Sequence, residues 1–137
     1  MNPPANIKYP QAFCGTYVRV HWEFENSLKD ILDHSGLVNN FWQQYRHRLK
    51  YLDETRRDCI RRRAWFEKLK HEKNLYSMKF QGTKNVRIIF AFVAYEGYEY
   101  AILLYPFEEK DRTKEGRNSY GTAIPIAQKR LQEVIKR

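Results

Sequence analysis

Two apolar runs constrain the fold more than anything else in the chain. Val86–Ala94 (VRIIFAFVA) and Tyr100–Tyr105 (YAILLY) are short, rich in β-branched and aromatic residues, and separated by a stretch containing Glu96–Gly97. An acidic residue followed by glycine between two such runs marks a hairpin turn. Neither run alternates cleanly between apolar and polar residues, so both faces are apolar and the two strands belong in the middle of a sheet. With 137 residues, 42% of them hydrophobic, the chain can close one core around that hairpin. No repeat and no domain linker interrupts it, so residues 1–137 read as a single domain.

The flanking segments supply the other elements. Residues 1–15 carry three prolines and a glycine and read as an irregular arm, with Tyr9 and Phe13 available to pack. Val18, Val20, Trp22 and Phe24 alternate with polar residues as a half-buried strand. Asn26 or Ser27, with Asp30, can cap a short apolar stripe of Leu28, Ile31 and Leu32 that Gly36 interrupts. Val38, Phe41, Trp42, Tyr45, Leu49 and Leu52 fall at helical spacing and predict a helix over 37–53. Thr55 can cap a second helix over 56–70 with Ile60, Ala64, Trp65 and Leu69 on its apolar side. Leu75–Phe80 reads as a strand and 82–85 as a turn. Residues 108–119 form a charged loop, and Thr122 can cap a closing helix with Pro125 in its first turn. The expected fold is α+β: a small, twisted, mostly antiparallel four-stranded sheet, with two N-terminal helices packed on it and a C-terminal helix. Trp22, Phe24 and Ile60 are expected in the core.

Charge narrows the range of partners. Twenty-five Lys and Arg face sixteen Asp and Glu, a net +9, which favours polyanions such as nucleic acid, an anionic membrane surface or an acidic protein segment. The two cysteines, Cys14 and Cys59, form no C-x-x-C pair and no zinc-spaced cluster, and read as reduced thiols, with a structural disulfide as the alternative. No run has the length of a membrane span, and the N-terminus lacks a charged start followed by an apolar run, so the expected location is cytoplasmic.

Four local patterns in the last 60 or so residues then stand in a familiar order. They are Leu75-Tyr76-Ser77-Met78-Lys79, Asn85-Val86-Arg87-Ile88-Ile89-Phe90, Ile102–Lys110 (ILLYPFEEK) and Ala127-Gln128-Lys129-Arg130. Together they resemble the RelE/HigB-type toxins of type II toxin–antitoxin pairs, especially the phage-derived, HigB-like branch. Ser77 stands where that family has Glu, Lys79 where it has Arg, Tyr105-Pro106 where it has His-Gly, and Glu109 where it has the first Lys of a pair.

The resemblance implies a small RelE/ParE-like fold, a cognate antitoxin as partner, and cleavage of mRNA on the ribosome with no cofactor and no metal. It implies Arg87, Lys79, Lys110 and Tyr120 as the catalytic group. Arg87 stands in an otherwise apolar strand, where its planar fork suits two phosphate oxygens or an internal salt bridge. Lys79 projects beside it or is a surface lysine near a strand end. Tyr120 either packs in the core or stacks on a base. Arg112, Lys114 and Arg117 extend a basic cluster in the 108–119 loop. Arg61 and Arg62, within a run that also holds Arg56, Arg57 and Arg63, either grip RNA phosphates or are a solvated surface. His71 is a further proton-transfer candidate or a loop histidine. Two other functions fit such a chain: a ParE-type toxin that binds gyrase, and a phage-derived nucleic-acid-binding protein without catalysis.

Overall fold

The computed structural model describes residues 15–35, 38–81, 85–109 and 119–136, with side chains throughout except at 33–35, 38 and 39. The element order is β1 (Val18–Val20), α1 (Phe24–Ser35), α2 (Val38–Thr55), a 3-10 helix (Arg56–Arg61), β2 (Phe66–Lys68), β3 (Tyr76–Lys79), β4 (Val86–Tyr95), β5 (Tyr98–Glu108) and α3 (Ser119–Ile135). The fold is α+β, as the sequence implies. Among the described residues the sheet has five strands rather than four, in the order β1-β5-β4-β3-β2.

The central hairpin forms as expected. β4 and β5 pair antiparallel from Val86↔Glu108 to Tyr95↔Tyr98. Glu96 (φ 50) and Gly97 (φ 84) both take the left-handed backbone that a tight hairpin turn needs, which suits glycine and strains glutamate. The register shifts between Ile89↔Tyr105 and Phe90↔Leu103, so Leu104 is an extra residue in β5. This bulge keeps Leu104 and Tyr105 both against the C-terminal helix. β3 pairs antiparallel with β4, and β1 lies parallel to β5 with Val18 opposite Ala101.

The sheet separates two cores. On one face α1, α2 and the 3-10 segment cover Val86, Ile88, Phe90 and Phe92 with Phe24, Leu28, Leu32, Phe41, Tyr45, Leu49, Leu52 and Cys59. On the other face α3 covers Ile89, Ala91, Val93, Ile102 and Leu104 with Ala123, Ala127, Leu131 and Val134. Burial of these side chains at about 25 cal/mol per Å² is the main favourable contribution to stability.

Several expectations need correction. No helix spans 56–70. Arg56 takes a left-handed φ of 49° and ends the α-helical run; a 3-10 helix follows, and then Phe66–Lys68 joins β3 as an edge strand. The two N-terminal helices are therefore α1 and α2. Thr55 ends α2, its hydroxyl donating to the Tyr51 carbonyl, and caps nothing downstream. Ile60 is exposed, and the neighbouring Cys59 is fully buried as a free thiol. Burial and the Asp58 charge push that thiol up to about 12. Ala64 is exposed, Trp65 is half-buried, and Leu69 packs on the α3 side.

The first strand stops at Val20. His21 turns the chain, its Nδ1 accepting the Glu23 N–H and its carbonyl accepting that of Phe24. This replaces the expected cap at Asn26 or Ser27, because the helix starts two residues earlier. Trp22 is 40% exposed and stacks on the His21 ring, whereas Phe24 is buried as the first residue of α1. Pro125 lies inside α3 rather than in its first turn, since the helix starts at Ser119. Tyr9, Phe13, Cys14, the 82–84 turn and the Val38 side chain lie outside the described residues. No described helix is long and apolar enough to cross a membrane.

Candidate functional site

The face covered by α3 does not stay apolar to its end. Paired residues of neighbouring strands point to the same side. Arg87 on β4 therefore shares a side with Lys79 on β3 and Phe107 on β5, its register partners. Two residues back along β3, Ser77 lies on that side as well, opposite Glu67 of β2. Tyr120, in the first turn of α3, completes the group from above. Its hydroxyl lies 2.8 Å from the Ser77 hydroxyl, and its ring meets Phe107 edge-on at 4.9 Å between centroids. Arg87 and Lys79 are thus neighbours across the consecutive strands β3 and β4, and Tyr120 joins them from α3, more distant in sequence.

Each is held by its surroundings. The Lys79 backbone is fixed on both sides, its N–H on the Trp65 carbonyl at 2.7 Å and its carbonyl on the Arg48 Nε at 2.6 Å. Arg87 donates from Nη1 to the carbonyls of Val86 (3.1 Å) and Phe80 (3.2 Å). Its Nε lies 2.9 Å from Oε2 of Glu109. That contact is an ion pair without hydrogen-bond alignment, and the Nε–H has no hydrogen-bond partner among the described residues. The internal salt bridge weighed for Arg87 is therefore present. The guanidinium is also tied to the backbone more closely than a side chain that simply faces a groove.

The buried Ser77 and the half-buried Tyr120 form a hydroxyl pair. Burial raises the phenol above its ordinary value, while the Ser77 hydrogen bond and the Arg87 charge pull it back. The phenol stays protonated at neutral pH, as a hydrogen-bond donor or a stacking platform. The start of α3 also brings the positive end of the helix dipole to this end of the sheet. The arrangement is two cations, a protonated phenol, a serine hydroxyl and the carboxylates of Glu67 and Glu109 at one end of the sheet. It can hold an anion and supply groups for proton transfer.

The chain has no match among family models, curated proteins or solved structures.

The other candidates are elsewhere. Lys110, Arg112, Lys114 and Arg117 lie outside the described residues. Arg61 and Arg62 are exposed next to the α1/α2 face; the Arg62 guanidinium lies 3.3 Å from the centroid of the Trp65 ring. They form no part of the Arg87 group. His71, at a φ of 66°, turns the chain between β2 and β3, at the end of β3 away from Lys79. There it lines a cavity of about 330 Å³ with Asn74, Gln128 and Leu131.

Sequence reasoning took Ser77 and Glu109 only as departures from a pattern and passed over Arg48. Arg48 is 3% exposed, sits between the Trp65 and Phe80 rings, and is lowered to about 10 by burial and by Arg62. Its signal was its place beside Leu49, inside the stripe that runs from Phe41 through Tyr45 to Leu52.

Proposed function

We propose that this chain is a RelE/HigB-like ribonuclease, the toxin of a type II toxin–antitoxin pair, which cuts mRNA on the ribosome. The observation that carries the reading is that Tyr120 of α3 comes to the end of the sheet where β3 and β4 set Lys79 beside Arg87. Three of the four positions named by the resemblance meet there, and the approach of Tyr120 is not required by local sequence. The fourth, Lys110, directly follows Glu109.

In this reading the RNA 2′-hydroxyl attacks the adjacent phosphate, and no metal takes part. Arg87 binds two phosphate oxygens and stabilises the charge that grows on them; Lys79 adds a second cation. Tyr120, held by Ser77, positions the neighbouring base or donates a hydrogen bond. A small antitoxin with an acidic segment would be drawn by the net charge of +9.

The test is induced expression in bacteria, with growth and mRNA integrity followed together. Arg87→Ala is expected to abolish growth inhibition, with a loss of about a hundredfold or more in cleavage rate. Arg87→Lys restores only part, because one ammonium cannot reproduce a two-pronged contact. Circular dichroism of both variants separates lost chemistry from lost fold. A folded Arg87→Ala that cleaves at the wild-type rate removes Arg87 from the site.

One observation favours a second reading. The Arg87–Glu109 ion pair and the two backbone contacts of Arg87 suit a cation held for structure, in a nucleic-acid-binding protein of the same fold that does not cut. A wild-type protein that binds RNA and never cleaves it decides for that reading.

A further inference from the structure

The group described so far lacks the residue that removes the 2′ proton. We infer that Glu109 is the general base of this site. The inference rests on the ribonuclease reading and adds to it a residue that the RelE/HigB resemblance does not supply, since lysine stands at this position in that pattern.

Position comes first. Glu109 directly follows β5, and its N–H is fixed on the Asn85 carbonyl at 2.7 Å, so its backbone is anchored across the β4–β5 pair. Its carboxylate lies 2.9 Å from the Arg87 Nε, and its side chain is 36% exposed. It is close to the cation and open to an incoming ligand. Nη1 of Arg87 is committed to two backbone carbonyls, which leaves the Nε and Nη2 edge as the anion-binding side. Glu109 lies on that edge. A phosphate arriving there competes with the carboxylate for the guanidinium and leaves the carboxylate beside the ribose that carries it.

The alternatives are weaker. The Tyr120 phenol is kept protonated by burial, and the Ser77 hydroxyl is bonded to it. Lys79 is a cation. His71 lies at the far end of β3. Glu67 lies on β2, two strands from Arg87, whereas Glu109 follows the strand next to it.

The step balances as follows. The 2′-hydroxyl gives its proton to the Glu109 carboxylate as the bond from its oxygen to phosphorus forms. The bond from phosphorus to the 5′ oxygen breaks, and that oxygen takes a proton from the Lys79 ammonium. The products are a 2′,3′-cyclic phosphate and a free 5′-hydroxyl. Water then returns a proton to Lys79 and takes the one held by Glu109.

The experiment compares wild type, Glu109→Gln and Glu109→Asp. Cleavage is measured at saturating RNA over a range of pH, and binding is measured with an RNA carrying a 2′-deoxy sugar at the scissile position. The groups facing Glu109 are Arg87 on β4 and Tyr120 on α3, with Lys79 and Glu67 beyond them, and all stay unchanged in the variants. Glu109→Gln is expected to lower kcat by about a hundredfold or more and to remove the acid limb of the pH–rate profile. Binding of the 2′-deoxy RNA is expected to hold or tighten, since a competing carboxylate is gone. Glu109→Asp keeps the acid limb at a reduced rate. A Glu109→Gln protein that cuts at or above the wild-type rate overturns the assignment and leaves the ribonuclease reading intact. A wild-type protein that binds RNA and cuts none, with or without ribosomes, overturns both.

Discussion

The two faces of the sheet are finished differently. On the α1/α2 side the aromatic core runs the length of β4, from Val86 beneath Phe80 and Phe41 to Phe92 beside Tyr76. On the α3 side the apolar residues stop at Ile89, and the next residue outward on that face is Arg87. The end of that face carries the partly exposed Lys79, Arg87 and Glu109 beside the buried Ser77. The difference separates surroundings within one strand. Residues of β4 on one face are sealed in the aromatic core, and the last residue on the other face is a charged, partly exposed arginine held by an ion pair.

The largest stability effect should come from the sealed face. Phe90 is fully buried against the Phe66, Tyr76 and Phe92 rings. Phe90→Ala is expected to cost about 3–5 kcal/mol in urea unfolding, well above the cost of Arg87→Ala. Equal costs for the two would erase the contrast.

A smaller effect is expected at the boundary. Ser77→Ala removes the hydroxyl partner of Tyr120, at a cost of about 1 kcal/mol. Because that hydrogen bond lowers the Tyr120 phenol against the raising effect of burial, its loss should raise the phenol further. Absorbance titration of the tyrosines checks this; an unchanged titration would mean that the two hydroxyls do not meet in solution.

The smallest effect concerns how α3 is fastened at its other end. His21 is buried, and its Nε2 meets Glu133 at 3.1 Å. Its Nδ1 accepts the Glu23 N–H, so the neutral ring carries its proton on Nε2. Burial, followed by the Arg130 charge, holds it below its ordinary value of 6.5, with Glu133 and Glu23 opposing. The unfolded chain therefore takes up the proton first as pH falls. This contribution to stability is present above about pH 6.5 and is lost below it, as the pH falls toward the lowered value of the folded state. Thermal unfolding between pH 5 and 8 should show a shallow acid-side decline that a His21→Asn variant lacks. A decline of equal slope in that variant would assign the effect to other groups.

How much of this the sequence revealed depended on how local each signal was. The hairpin was legible because its apolar runs and its Glu96–Gly97 turn are self-contained. α2 was legible from its stripe. β2 was not, because three residues are too few to show alternation, and Ile60, Ala64, Trp65 and Leu69 around it run at helical spacing. The exposure of Trp22 depends on the turn at His21, which alternation cannot foresee. In the candidate site, Arg87 stood out as a lone charge in an apolar strand. The pairing of Ser77 with Tyr120 was hidden because it depends on how α3 docks on the sheet, and the approach of Glu109 to Arg87 because it depends on the one-residue bulge at Leu104 that sets the far end of the hairpin register.

The parallel contact of β1 with β5 carries a consequence for how the chain is made. Val18 pairs with Ala101, and the N–H of His21 is satisfied by Leu103, so the sheet pairing of the first strand cannot form until synthesis has passed that point. Loop closure over such a span is slow compared with local contacts. Lys79, Arg87, Glu109 and Tyr120 also span the later part of the chain. While the protein emerges from the ribosome, the first strand waits for its neighbour in the sheet, and the Lys79–Arg87–Glu109–Tyr120 group is complete only later.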